Sequence, residues 1–323
     1  MKGEEPIAEM DASKQTDKAE TPAEQPPVVV KIGGAKAVDP AGAVGDVAHL
    51  VANGREVVVV HGGSTAVDDT LERLGKEPTY VETPSGVSGR FTDAETMDVF
   101  SMVLPGKLNT DLVALLQESG VDAVGLSGVD GGLLSGPRKS AVRVRENGKK
   151  KIKRGEHSGK LESVNGELLS LLFEGGYVPV VSPPMAGEES DGGVTPVNTD
   201  ADRAAGAIAA EIGAELVLLT DVDGIYADPE DPETLIGSVA SPAELEALES
   251  AAEGFMTKKV MAAVEALEGG AAGVTVSDAN LRDPVVAALG GAGTRIDSGV
   301  LGVDGTSEAD ADTGSETTSE TEA

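Results

Sequence analysis

The residues best suited to chemistry sit where short apolar runs end. Lys31-Ile32-Gly33-Gly34 closes the run that begins at Val28, His61-Gly62-Gly63-Ser64 follows Glu56–Val60, and Thr220-Asp221-Val222-Asp223-Gly224 ends the run from Glu215. Glycine pairs at such places let backbone N–H groups approach an anion, and open α/β sheets bind ligands at the carboxyl ends of their strands. A tight turn is the competing reading of each pair taken alone. Lys31 is more telling, because it lies inside an apolar run that should be buried. A buried ammonium costs several kcal/mol unless an anion or carboxylate meets it, or unless it snorkels out at the strand end. There is no Gly-x-x-x-x-Gly-Lys-Ser/Thr loop and no Gly-x-Gly-x-x-Gly, which disfavours the common nucleotide-binding folds.

Other polar residues carry simpler readings. Asp93 and Glu95 suit a helix start, with Asp93 as N-cap. Asp221, Asp223 and Asp228 are turn-formers or ligand contacts. His49, His61 and His157 lack a metal-ligand spacing and receive no role, and Asp200 with Asp202 is too close a pair to define a metal site. No metal site is therefore assigned.

Elements must carry these residues to one place. Helical patterns are expected over 41–53, 64–75, 93–119, 164–175, 200–213, 241–249, 256–268 and 284–289. Strands are expected over 28–32, 56–60, 121–126, 177–181, 215–220, 273–276 and 294–296, all from apolar runs bounded by glycine. That alternation predicts α/β: one three-layer αβα domain over 28–296 with a mostly parallel central sheet.

Composition narrows the classes. The 323 residues hold 25 Lys+Arg against 56 Asp+Glu, with no Cys and no Trp. Without cysteine there is no disulfide framework and no thiolate metal site. No run approaches the ~18 consecutive apolar residues of a membrane span, and the charged N-terminus lacks a signal-peptide core. A soluble cytoplasmic protein is expected, with neither membrane nor nucleic acid as partner, since phosphate neutralisation needs a basic surface. A net charge of −31 with 2% aromatics also suggests a high-salt cytoplasm that screens self-repulsion. Residues 1–27 and 297–323 read as disordered acidic tails carrying −12 of the −31, so 28–296 retain −19.

One segment reverses the sign. Between Pro137 and Lys160, ten basic residues face only Glu146 and Glu156, and Val142, Val144 and Ile152 alternate around Asn147-Gly148. This predicts a β-hairpin. A solvated arm is one reading; the favoured one is a docking surface for an acidic partner, built on Arg143, Arg145, Lys149, Lys150, Lys151, Lys153 and Arg154.

Taken together, Val28–Gly34, Val59–Ser64, Gly89–Met97, Val197–Asp202, Leu219–Gly224 and Gly254–Val260 occur in an order that resembles the amino acid kinase family, in its N-acetylglutamate kinase branch. Thr83-Pro84-Ser85-Gly86 ahead of Arg90 is similar to the carrier-linked (LysW-type) kinases of archaea, and the acidity suits a haloarchaeal member. The resemblance implies a carbamate kinase-like fold, ATP with Mg²⁺ carried on it, and transfer of the γ-phosphoryl group to a side-chain carboxylate. Lys31 matches the family's transition-state lysine of the first strand. The second such lysine follows Gly-Met-x-x-Lys; counting three on from Met256 selects Lys259, while counting four on from Gly254 would select Lys258. Asp202 matches the aspartate that organises the two lysines. Gly62 and Gly63 match the substrate-binding glycine pair, with Ser64 where a third glycine is usual. Arg90 matches the substrate-carboxylate arginine, and Asn198 the asparagine at the substrate's main-chain end. Gly33, Gly34, Thr220, Asp221 and Tyr226 fall where the fold binds ATP.

The reading that follows is phosphorylation of glutamate, aminoadipate or both, joined through the amino group to a small acidic carrier (LysW-type), in arginine and lysine synthesis, by a homodimer. Phosphorylation of free N-acetylglutamate is the alternative, and a non-catalytic nucleotide sensor the second.

Overall fold

The computed structural model describes residues 25–33, 39–84, 88–146, 149–252 and 254–301. Apart from 25–27 and 297–301, the expected acidic tails lie outside these residues, as do Gly34, Ser85, Gly86 and the Asn147-Gly148 turn.

The first half of the chain runs β1 (Val28–Ile32), α1 (Pro40–Ala52), β2 (Val57–His61), α2 (Ser64–Arg73), β3 (Tyr80–Glu82), β4 (Ser88–Arg90), α3 (Ala94–Ser101), α4 (Asn109–Glu118), β5 (Ala123–Gly128), β6 (Leu134–Glu146) and β7 (Lys149–Gly159). Then follow β8 (Ser163–Val164), α5 (Gly166–Glu174), β9 (Val178–Glu188), β10 (Val194–Val197), α6 (Ala201–Glu211), β11 (Glu215–Thr220), β12 (Ser238–Val239), α7 (Pro242–Ala251), α8 (Phe255–Glu268), β13 (Gly273–Asp278), α9 (Pro284–Leu289) and β14 (Thr294–Asp297).

A 12-stranded sheet has the order β12-β14-β13-β11-β1-β2-β9-β6-β7, with β5 and β10 also on β9 and β8 on β6. β11, β1, β2 and β9 run parallel in that order, so β1 is a central strand, and in open α/β sheets ligands bind at the carboxyl ends of such strands. Within this sheet the antiparallel pairs are β13–β14, β9–β10, β6–β7 and β6–β8, and β3 and β4 form a separate antiparallel pair.

Strand alternation divides the core in two. Val28, Val30 and Ile32 belong to the core cluster that includes α1, α4 and α9, while Val29 belongs to the one that includes α5, α6, α7 and α8. Both faces of β1 are thus covered, as its unbroken apolar run requires. Period 2 puts Lys31 on the face of Val29, which is the α6/α8 side. A third cluster joins α2 to α3 through Val67, Leu71, Met97 and Phe100.

Two expectations are corrected. The single helix over 93–119 is α3 and α4 joined by a π-helical turn at Met102–Leu108, where Pro105 has no N–H to continue an α-helical ladder. The stretch Ala94–Glu118 is also, by length and composition, long and apolar enough to cross a membrane, though much of it packs into the fold. The strand expected over 121–126 is displaced to Ala123–Gly128, and β3, β4, β8, β10 and β12 were not expected at all. Those are two to four residues long and owe their extended form to partners distant in sequence.

Candidate active site

Three buried charges meet at the end of β1. Lys31 Nζ lies 2.7 Å from Asp202 Oδ1, and Lys259 Nζ lies 3.1 Å from Asp202 Oδ2. Lys31 is 6% exposed and Asp202 8%. Each residue is delivered by a separate element. Asp202 stands in the first turn of α6, whose N-cap is Asp200; the Asp200 carboxylate accepts from the N–H groups of Asp202 and Arg203 at 2.9 and 3.2 Å. Asp200 therefore has a capping task, which explains the close aspartate pair. Lys259 lies one turn into α8, which begins after Gly254 in a left-handed conformation (φ 56°).

Burial would raise the Asp202 pKa, but the Lys31 and Lys259 ammoniums override it and hold the carboxyl at about 2. Burial, with Lys31 nearby, lowers the pKa of Lys259. A single carboxylate between two ammoniums leaves one positive charge in excess at a water-poor strand end. Such a place suits a polyanion.

The glycine pair follows β2. Gly62 N–H donates to Ile32 O at 3.3 Å, whereas Gly63 N–H has no acceptor among the described residues. A Cβ on Gly63 would collide with Leu104 and Leu108, so close packing demands glycine there.

Arg90, at the end of β4, is walled in. Its Nη2 lies 2.6 Å from Asp68 Oδ2 and donates to Ser64 O and Tyr80 Oη, each at 3.0 Å. The rings of Tyr80 and Phe100 lie 5.6 and 5.2 Å from the guanidinium carbon. Nε and Nη1 are buried and have no hydrogen-bond partner among the described residues. Such buried donors with no acceptor are uncommon, and the guanidinium's charge beside the first turn of α2 suits an anion. Neither Asp68 nor Tyr80 was singled out from sequence, because their value lies only in facing Arg90.

The root of the basic hairpin closes over this region. His157 N–H donates to Thr92 O at 2.7 Å, Asn198 N–H to His157 O at 2.8 Å, and Asn198 Nδ2 to Thr92 Oγ1 at 3.2 Å. Glu156 is 3% exposed; Oε1 accepts from Thr92 N–H at 3.3 Å and Oε2 has no hydrogen-bond partner among the described residues. Burial raises its pKa to about 7 against the weaker opposing pull of the Thr92 N–H, the Ser158 hydroxyl and Lys153.

Register sorts the hairpin's charges by face. Val142 pairs with Lys153 and Val144 with Lys151, so these share one face, and Lys153 Nζ stands 3.9 Å from the Phe91 ring centroid. Arg143, Arg145, Lys150 and Arg154 share the other face with Ile152, which is 65% exposed. Ile152 therefore faces away from Val142 and Val144.

Of the residues expected at a nucleotide, Thr220 ends β11 with its hydroxyl donating to Asp221 Oδ1 at 3.2 Å, and Tyr226 Oη donates to Asp223 Oδ2 at 2.7 Å. Gly33 directly follows β1. Asp93 is the N-cap of α3, accepting from Thr96 N–H at 2.8 Å.

The model of the amino acid kinase family matches residues 26–278. The chain belongs to the amino acid kinase family. It is 43% identical over 268 residues to a [LysW]-aminoadipate kinase of Deinococcus radiodurans, covering 83% of this chain and 90% of the relative. It is 44% identical over 245 residues to an acetylglutamate kinase of Methanopyrus kandleri, covering 75% and 91%. A [LysW]-aminoadipate/[LysW]-glutamate kinase of Metallosphaera sedula is 35% identical over 243 residues, covering 75% and 89%. Among solved structures, carbamate kinase of Giardia superposes with a TM-score of 0.59 at 17% identity, over 85% of this chain and 99% of the other. N-acetylglutamate synthase of Neisseria gonorrhoeae superposes with a TM-score of 0.66 at 24% identity, over 85% of this chain and 60% of the longer synthase. Those two likenesses are of fold.

Proposed function

We propose that this protein transfers the γ-phosphoryl group of ATP to the side-chain carboxylate of glutamate or aminoadipate attached by its amino group to a small acidic carrier protein of the LysW type. An oxygen of the carboxylate bonds to the γ-phosphorus while the bond to the bridging oxygen breaks, leaving ADP and an acyl phosphate. The acceptor is already ionised, so no base is needed; positioning and cations are. Lys31 and Lys259, held by Asp202, supply fixed positive charge, Gly63 N–H a fixed donor, and Arg90 with Asn198 the grip on the rest of the acceptor. Gly33, Thr220, Asp221 and Tyr226, with Gly34, would hold ATP. Among the described residues no three His, Cys, Asp or Glu side chains form a cation cluster, so Mg²⁺ would be held chiefly by the phosphates, whose charge it offsets.

The observation that carries the choice of acceptor is the hairpin. Four cations share one face with exposed Ile152, and the second hairpin strand, β7, runs on to hydrogen bonds with Thr92 and Asn198. A free amino acid derivative has no use for so large a basic surface; an acidic carrier whose C-terminus must reach the site does. Similarity to both carrier-dependent kinases and an acetylglutamate kinase keeps free N-acetylglutamate as the second reading.

Acyl-phosphate formation measured at high salt with carrier-glutamate, carrier-aminoadipate and free N-acetylglutamate decides between them. Turnover of either conjugate is expected; turnover of the free acid alone overturns the proposal. The same reading takes the chain to act as a cytoplasmic homodimer, which sedimentation of the purified protein checks.

A further inference from the structure

His61 is the last residue of β2, 4% exposed, and the proposed reaction gives it no part. Its ring is nevertheless bonded on both sides. Asn109 Nδ2 lies 3.1 Å from His61 Nε2 and donates to Val180 O at 2.8 Å. A carbonyl oxygen can only accept, so the Asn109 atom facing Val180 is its NH₂ group, and that same group donates to Nε2. Nε2 therefore carries no proton, and the proton sits on Nδ1. Nδ1 lies 2.9 Å from Gly62 O, again an atom that can only accept. Burial, together with nearby Lys31, lowers the pKa of His61 and keeps the ring neutral.

The consequence falls on the next peptide. Gly62 O and Gly63 N–H belong to one planar trans unit and point in opposite directions. Drawing Gly62 O onto the imidazole turns Gly63 N–H away from it, to the side where no described residue accepts it. Gly62 N–H on Ile32 O and Val67 N–H on Gly63 O hold the two ends of the pair, and the imidazole adds the one contact made to the Gly62–Gly63 peptide itself. The Asn109 end is equally specified: a Cβ on Gly125 would overlap Asn109 Oδ1, so β5 leaves room for the amide.

We propose that the Asn109–His61 pair is a positioning device that aims Gly63 N–H at the reacting carboxyl-phosphoryl centre. The inference rests on the reading above that Gly63 N–H faces that centre, and His61 itself touches no reactant. Loss of one oriented donor at a transition state costs about 10²–10³-fold in kcat.

The test uses the difference between two amides. Asparagine places its NH₂ where Nδ1–H stands and can restore the bond to Gly62 O, whereas glutamine mimics Nε2 and cannot. His61→Gln is expected to lower kcat by ~10²-fold with KM for ATP within about twofold, while His61→Asn stays within about tenfold of the parent. Melting temperatures of both variants identify any loss due to unfolding. Equal losses of kcat in the two folded variants overturn the proposal. A second measurement needs no turnover. ¹⁵N NMR of the His61 ring is expected to show the Nδ1–H tautomer, and Asn109→Asp, which offers an acceptor to Nε2 while Nδ1 still faces Gly62 O, is expected to protonate both ring nitrogens. An Nε2–H ring in the parent protein overturns the proposal. If the parent enzyme turns over none of the three acceptors, the functional reading fails while the ring measurement still decides the pair.

Discussion

Lys31 at the end of β1 and Asp202 in the first turn of α6 form a 2.7 Å ion pair with both partners buried, and Lys259 completes the arrangement from α8. Its net positive charge is held at the carboxyl end of β1. Lys31→Ala or Lys259→Ala is expected to reduce turnover about 10²–10³-fold, read in an acyl-phosphate assay at saturating ATP. Turnover unchanged in either variant removes that lysine from the reaction.

Asp202 also bears on stability. Asp202→Ala leaves two ammoniums buried with no counter-charge and is expected to destabilise by about 3–5 kcal/mol, measured by urea unfolding at pH 7. The carboxyl is held at about 2, below its ordinary 3.8, so its contribution is full above pH ~4 and is lost as pH falls toward 2. The stability gap between parent and Asp202→Asn should be flat from pH 7 to 5 and shrink below 4.

Glu156 behaves oppositely. Its pKa is raised from 4.5 to about 7, so between those values the folded state holds more protons than the unfolded chain, and stability falls as pH rises. Glu156→Gln is expected to match the parent near pH 4.5 and exceed it in melting temperature at pH 8. Parallel profiles from pH 4.5 to 8 contradict this.

The two hairpin faces make separable predictions. Neutralising Arg143, Arg145, Lys150 and Arg154 together is expected to raise KM for a carrier conjugate and flatten its dependence on salt, with KM for ATP unchanged. An unaffected KM for the conjugate would make that face a solvated surface.

Arg90→Lys keeps the charge but loses the planar fork that now leaves Nε and Nη1 unsatisfied. KM for the acceptor is expected to rise ~10–100-fold, the scale of one charged hydrogen bond, with kcat less affected. Isothermal titration with the unphosphorylated conjugate gives the same ratio independently of chemistry.

Much of the fold was legible because local physics repeats along the chain. Apolar runs bounded by glycine became β1, β2, β11 and β13, and Asp93 capped α3 as its position suggested. The basic hairpin is visible in the sequence as charge and alternation. The short strands β3, β4 and β10 are not, since their hydrogen bonds come from partners rather than from their own pattern.

The site divides in the same way. Sequence alone determined that Lys31 ends a buried strand and that glycines follow β1 and β2. The family resemblance singled out Asp202, Lys259, Arg90 and Asn198. Tertiary structure decided which charges share which oxygen: Lys259 Nζ meets Asp202 across 57 residues of chain, and Asn109 meets His61 across 48. It also put Ile152 among the arginines rather than the valines, and Gly62 N–H on Ile32 O instead of toward a substrate. Periodicity reports which face of its own element a residue occupies. Only the packing of separate elements sets the few ångströms between side chains on which a hydrogen bond, a tautomer or a pKa depends.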